Sequence, residues 1–431
     1  MPRPTEVLRA PSFARFWTAS TLSSAGTSVT SVALPVIVVT LLHASPLEVG
    51  YVNAAGVAAY TVLGFFAGAL IDRWRRKPVL VWSSAVRAVV LAVIPLLWLA
   101  HALSIGAIVA TLFVFSGASV FGIGARQSFL SSIVPRSQLV SANARLDQSD
   151  AAASTLGPAL GGGLVGLLGG PLSIALDALS YVVDAAVLAT IRIDEPRPEA
   201  QPTGRVGKEI REGFRWAYSH RELGPLAWST HAWFVANSAA FTILIPFVLR
   251  TLDFTAPIYG LLLAATGATT LAGAFAAPRL GRRFGEGAVV VATRLAYPLL
   301  WAIITVAPLA GHFAALPLFA GMALYGLAMG VENANEMGFR QAVTPDELQG
   351  RTNTTLRSAN RTGALVGSLA GGALATIAGI VVGLWACVAI FIVAAAIVLF
   401  SPFRSAGTLG TSPHGQADTR HANDGDDDLP S

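Results

Sequence analysis

The chain has 431 residues, 54% of them hydrophobic and 12% charged, about half the ~25% charged fraction of a soluble domain. Such a chain needs a solvent other than water, and at about 20 apolar residues per spanning helix its length holds roughly twelve spans. Its 29 basic residues outnumber 24 acidic ones, but they sit between apolar runs rather than on one soluble face. That distribution points away from nucleic acid and toward the membrane surface.

The N-terminus places Arg3, Arg9 and Arg15 ahead of a long apolar run with no small-residue cleavage site, so the first helix is expected to stay as an uncleaved signal anchor. Apolar segments occupy 16–42, 49–71, 78–100, 105–125, 150–168 and 171–191. A charged connection then carries Val206, Ile210, Phe214 and Tyr218 four residues apart, the pattern of an interfacial amphipathic helix. Six more segments follow at 226–249, 257–277, 288–310, 313–332, 355–378 and 380–400. The expected architecture is therefore all-α, with twelve transmembrane helices in two bundles of six. Residues 1–191 form the first bundle, 192–221 a cytoplasmic linker, 222–403 the second bundle and 404–431 a disordered cytoplasmic tail ending in Asp424, Asp426, Asp427 and Asp428.

Connections after odd-numbered spans are short and nearly free of basic residues, with Arg250 the exception. Those after even-numbered spans hold Arg73, Arg75, Arg76 and Lys77; Arg126, Arg136 and Arg145; Arg279, Arg282 and Arg283; and Arg340, Arg351 and Arg357. By the positive-inside rule the arginine-rich connections and both termini lie in the cytoplasm of a plasma-membrane protein.

The halves repeat each other. Adding 210 to Pro135, Asn143, Leu146, Gly157, Gly161, Gly162 and Leu164 gives Pro345, Asn353, Leu356, Gly367, Gly371, Gly372 and Leu374. Arg87 and Arg294 also hold matching places near the starts of the third and ninth spans. Parallel duplication of a six-helix unit is the plan of transporters that rock two halves about a midplane site.

No cofactor or metal site is expected. Cys387 is the only cysteine, the histidines are scattered, and no GxxxxGK[ST], HExxH or GxSxG element occurs. An ATP-driven pump or a hydrolase is thus not supported, and the chain is expected not to be an enzyme.

Two motifs stand out. The run GALIDRWRRK places Gly68, Asp72, Arg73 and Arg76 at the end of the second span; it reads either as a plain topology signal or as a cytoplasmic gate in which Asp72 meets Arg357 and Arg361. The run GPALGG places Gly157, Pro158, Gly161 and Gly162 inside span five, where proline frees a carbonyl and the glycines allow close packing.

Polar residues within the spans are the candidate site. Ser20, Ser24, Thr27 and Ser31 share one face of span one; span seven offers His231, Asn237, Ser238 and Thr242; span ten carries Tyr325 and Met329. The hydroxyls contact a substrate or bond back to their own helix carbonyls. Glu332, Asp150, Asp177 and Asp184 are candidate proton carriers, since an ionised carboxylate at mid-bilayer costs roughly 2.5–3.5 kcal/mol that protonation removes. A salt bridge of Glu332 or Glu336 to Arg340, and a packing role for Asp177, are the plainer readings.

These motifs resemble those of the major facilitator superfamily over the whole chain except its tail. GALIDRWRRK looks like that family's loop signature, and GPALGG like the fifth-helix signature of its antiporters, although Ala144 and Ala153 stand where further glycines are usual. The run Ala125, Arg126, Gln127, Val134, Pro135, Leu139, Ala142, Asn143, and DALSYVVDA from Asp177, are similar to the enterobactin-exporter and macrolide-efflux branch. The resemblance implies a monomeric secondary transporter in the lipid bilayer, with helices one, four, seven and ten around a cavity. It implies proton-coupled efflux of a small amphipathic molecule such as a drug, antibiotic or siderophore. Import or uniport on the same fold remains open, as does a non-transporting receptor or scaffold.

Overall fold

The computed structural model describes residues 10–71, 74–193, 195 and 206–405. Among these the chain forms thirteen α-helices and no strand. One bundle contains α1 (Pro11–Val36), α2 (Pro46–Ile71), α3 (Arg76–Leu99), α4 (Ile105–Ile133), α5 (Leu139–Leu168) and α6 (Gly170–Thr190). The linker helix α7 (Val206–Ser219) leads into α8 (Leu223–Pro246), α9 (Ala256–Phe284), α10 (Glu286–Thr305), α11 (Ala315–Val343), α12 (Asp346–Ala378) and α13 (Ile380–Leu399).

Among the described residues ten helices are long and apolar enough to cross a membrane by themselves. Helix α12 is not one of them; its first half carries Asp346, Glu347, Arg351, Arg357 and Arg361, charges that lower its mean hydropathy. The helix ends differ from the apolar runs. Helix α4 continues to Ile133, α5 starts at Leu139, α11 runs to Val343 and α12 starts at Asp346, whereas hydropathy ends or begins these spans at 125, 150, 332 and 355. All four extensions are at the arginine-rich end, where a helix that has left the hydrocarbon no longer needs apolar side chains.

Packing follows the duplication. Helix α1 lies on α5 and α6, α2 on α4, and α3 on α4 and α6; in the second bundle α8 lies on α12 and α13, α9 on α11, and α10 on α11 and α13. The bundles meet along α2–α12 and α5–α9. Helices α1 and α8 both end in a π-turn, Ile37–Leu41 and Phe247–Thr251. Each follows a proline, Pro35 or Pro246, whose missing N–H disturbs the helical ladder locally.

The paired glycines explain the seams. A Cβ on Gly157 would strike the Ser28 side chain and one on Gly161 would approach Val29, both on α1, while one on Gly162 would lie 2.7 Å from the Ala256 carbonyl of α9. In the second half Gly367 and Gly371 meet Val235 and Ala239 of α8, and a Cβ on Gly372 would lie 2.5 Å from the Pro46 carbonyl of α2. In both halves two glycines therefore seat the helix within its bundle and a third seats it against the other bundle.

Candidate functional site

The strongest concentration of buried charge lies in the second bundle. Arg294 of α10 has 1% of its side chain exposed and reaches Glu332 of α11 at 2.7 Å and Glu336 at 3.1 Å. It donates to Thr230 Oγ1 of α8 at 2.9 Å, and its guanidinium lies 5.5 Å from the Trp233 ring. Thr230 in turn donates to Glu336, and Arg340 approaches Glu336 at 3.7 Å. Glu332 and Glu336 are one turn apart on α11, a spacing that lets one guanidinium serve both.

The cluster is not saturated. Nε and Nη1 of Arg294 and Oε2 of Glu332 are buried and make no hydrogen bond. Leaving buried polar atoms unpaired carries a free-energy cost, so this cluster holds a spare acceptor and spare donors at the centre of a bundle. An aromatic wall adjoins it: Tyr325 contacts Tyr297, Trp301 and Phe241 and donates to Asn237 Oδ1 at 2.5 Å. Met329 Sδ lies 3.6 Å from the same hydroxyl.

The other three candidate carboxylates are each held within the first bundle. Asp177 accepts from Thr30 at 2.6 Å and Ser180 at 3.1 Å. Asp184 accepts from Ser84 at 2.5 Å, and Ser84 also accepts from Arg87 at 3.0 Å. Asp150 accepts from Ser24 at 2.6 Å and faces Arg126 at 3.7 Å. Of the four, Glu332 alone carries a buried oxygen without a hydrogen bond.

The α1 stripe divides on packing. Ser24 is taken by Asp150, Thr27 bonds Tyr181 at 2.7 Å, Ser20 is buried, and Ser31 is exposed and bonds back to the Ser28 carbonyl. On α8, His231 accepts from the Tyr218 hydroxyl at 2.7 Å and donates to Asn360 Oδ1 at 2.6 Å. This chain ties the linker helix α7 to α8 and α12. Ser238 is half-buried. Thr242 is buried and accepts from Asn53 of α2 at 2.9 Å, a contact between the two bundles.

At the short-connection end the bundles are clasped together. Arg250 donates to the Ala44 carbonyl at 2.8 Å and the Val39 carbonyl at 2.6 Å, and the Leu47 amide donates to Thr376 at 2.9 Å. Partway along the α2–α12 seam Arg361 lies 4.3 Å from the Tyr60 ring, a cation–π contact. Asp72 and Arg73 of the expected gate lie outside the described residues, and Gly68 belongs to α2. Arg357 is exposed, and Arg76 faces Glu195 of the linker at 3.9 Å.

Sequence reasoning did not single out Arg294, Tyr60, Trp233, Tyr297 or Arg250 as site residues. The one signal was the matched position of Arg87 and Arg294, whose guanidiniums each lie by an aromatic ring, Tyr181 at 4.4 Å and Trp233 at 5.5 Å. Among the described residues no group of three or more metal-ligating side chains comes together.

Two duplicated six-helix bundles meeting along α2–α12 and α5–α9, with polar groups buried inside each, define a membrane transporter of the major facilitator type. Residues 4–421 match the family model for the transmembrane secretion effectors, and the chain belongs to that family. A search of the curated proteins finds no match for this sequence. Among solved structures it is similar to a bacterial homologue of the iron transporter ferroportin in its inward-facing state, with 15% identity, 92% of this chain and 99% of that chain covered, and a TM-score of 0.74. The outward-facing state of such a homologue gives 15% identity over 90% and 98% of the chains and a TM-score of 0.56. The D323A mutant of the nucleoside transporter NupG gives 14% identity over 90% and 99% and a TM-score of 0.73.

Proposed function

We propose that the protein is a proton-coupled exporter of a small amphipathic molecule, working as a monomer by alternating access across the plasma membrane with both termini in the cytoplasm. The observation that carries this reading is the pair of Arg294 and Glu332, 2.7 Å apart and buried, with one carboxylate oxygen left without a hydrogen bond. A proton on that oxygen neutralises Glu332 and weakens its hold on Arg294, which keeps Glu336, Thr230 and the Trp233 ring as partners. Because these groups sit on α8, α10 and α11, their rearrangement shifts the packing of three helices of one bundle.

The charge pattern and the family support this direction. With the arginine-rich end cytoplasmic, the clasp of Arg250 on Val39 and Ala44 closes the external side, so this conformation faces inward; the higher superposition score with the inward-facing relative agrees. The secretion description of the family favours export. The substrate would contact exposed or half-buried side chains among the candidates, such as Ser31 on α1, Asn237 and Ser238 on α8 and Met329 on α11.

The test is expression in a sensitive host challenged with a panel of amphipathic drugs, antibiotics and siderophores, with and without a proton uncoupler. The expected result is resistance to at least one compound that the uncoupler abolishes. Resistance that survives the uncoupler would remove the proton from the account.

A further inference from the structure

We propose that a groove on the lipid-facing side of the first bundle binds one anionic phospholipid of the leaflet at the arginine-rich end, with its phosphate on Arg145. Helices α5 and α6 both pack on α1 and touch each other little, which leaves a furrow of about 610 Å³ between them. Its floor is Thr21, Ala25 and Gly26 of α1. Its rims are leucines that remain open to the surroundings: Leu156 is 62% exposed, Leu160 63% and Leu176 44%. Such a channel matches acyl chain rather than water.

The mouth has a different character. Arg145, Gln148, Ser149 and Trp17 gather there, and the Trp17 indole is fixed by donating to Ser149 at 2.9 Å. Trp is the residue type that marks the membrane interface. Arg145 stands five positions, about 8 Å at 1.5 Å per residue, outside the start of the apolar run at 150, at headgroup level, while Leu164 at the far end of the furrow lies fourteen positions, about 21 Å, beyond that start. The furrow is therefore longer than the half of the ~30 Å hydrocarbon that one leaflet occupies.

The charge at the mouth selects the headgroup. Among the described residues the Arg145 guanidinium has no ion pair and no hydrogen bond. The carboxylates that might serve it are engaged elsewhere: Asp150 with Ser24 and Arg126, and Asp177, on the inner wall, with Thr30 and Ser180. Asp147 is exposed two positions on, and residues so spaced do not share a helix face. A guanidinium beside an apolar furrow is suited to a phosphate carrying acyl chains, which it binds through paired N–H donors. The assignment is independent of what the protein transports.

The test uses the full-length protein in detergent, titrated with dioleoylphosphatidylglycerol, dioleoylphosphatidylcholine or inorganic phosphate. Thermal unfolding reads stabilisation, and native mass spectrometry reads bound lipid. Phosphatidylglycerol should stabilise wild type at lower concentration than phosphatidylcholine, and phosphate alone should do nothing. Arg145→Ala, and Arg145→Gln as a second variant, should raise the half-saturating phosphatidylglycerol concentration about tenfold while leaving lipid-free unfolding and the phosphatidylcholine response unchanged. Leu160→Trp, which fills the furrow, should weaken both lipids. Equal response of wild type to the two lipids, protection by phosphate alone, or an unchanged phosphatidylglycerol titration in both Arg145 variants would overturn the proposal.

Discussion

Arg294 and Glu332 form an ion pair of 2.7 Å with side chains 1% and 4% exposed, and they belong to adjacent helices of a single bundle. Breaking a buried pair by deleting one partner costs about 3–5 kcal/mol because the remaining charge is stranded. Here Arg294→Ala strands Glu332 and leaves Glu336 with only Arg340, at 3.7 Å, as a cationic partner, so it should destabilise the second bundle more than Glu332→Gln, which keeps a hydrogen-bonding amide beside the arginine. Thermal unfolding of the purified variants ranks them; an Arg294→Ala protein as stable as wild type would mean that the cluster is not held by that charge.

Arg250 donates from the second bundle to two carbonyls of the first, Val39 at 2.6 Å and Ala44 at 2.8 Å. The side chain is exposed at the surface, where contacts of this kind shift a balanced equilibrium without locking it. Arg250→Ala should therefore widen the short-connection end. Spin labels at Ala102 and His312, on connections of the two bundles at that end, would read this as a longer distance population. Cys387 is buried, which simplifies labelling. An unaltered distance distribution would show that the clasp does not hold the halves.

The α5–α9 seam depends on backbone approach. A Cβ on Gly260 would strike the Pro158 carbonyl and lie 2.9 Å from Gly162 Cα. Backbone yields little, so Gly260→Val should hold the short-connection ends of α5 and α9 apart. The expected outcome is normal membrane insertion with transport lost and cysteine pairs across this seam no longer cross-linking. Transport at the wild-type rate would exclude closure of this seam from the cycle.

Orientation is open to a direct check. With cysteines introduced one at a time, Ala102 and His312 should react with an impermeant thiol reagent from outside intact cells, and Ser137 only after the membrane is opened. The reverse pattern would invert the cycle and make the clasped end cytoplasmic.

Much of this fold was legible because a bilayer leaves its mark on composition. Span number, the offset of 210 and the amphipathic linker follow from apolar runs, repeated glycines and four-residue spacing. The helix extensions to Ile133 and Val343 and the early start of α12 at Asp346 were not, since hydropathy marks hydrocarbon and not helix. The site was legible in part. Glu332 stood out as a carboxylate in an apolar span, but its partner Arg294 lies 38 positions earlier, near an arginine-rich connection where a solvated residue is the ordinary expectation. Only the packing of α10 on α11 brings the two together. Likewise the spacing of Ser24 and Thr27 put them on one face, while Asp150 and Tyr181 decided which way that face turned.

The central claim is that the buried Glu332 couples a proton to transport, and one measurement bears on it directly. Purified protein in liposomes, loaded with the compound to which expression confers resistance, can be assayed for movement driven by an imposed pH gradient and, separately, for exchange without a gradient. Glu332→Gln removes the titratable group but keeps a polar side chain beside Arg294. The account predicts that gradient-driven transport in this variant falls to the no-gradient rate while exchange continues. Gradient-driven transport by Glu332→Gln at the wild-type rate would contradict it.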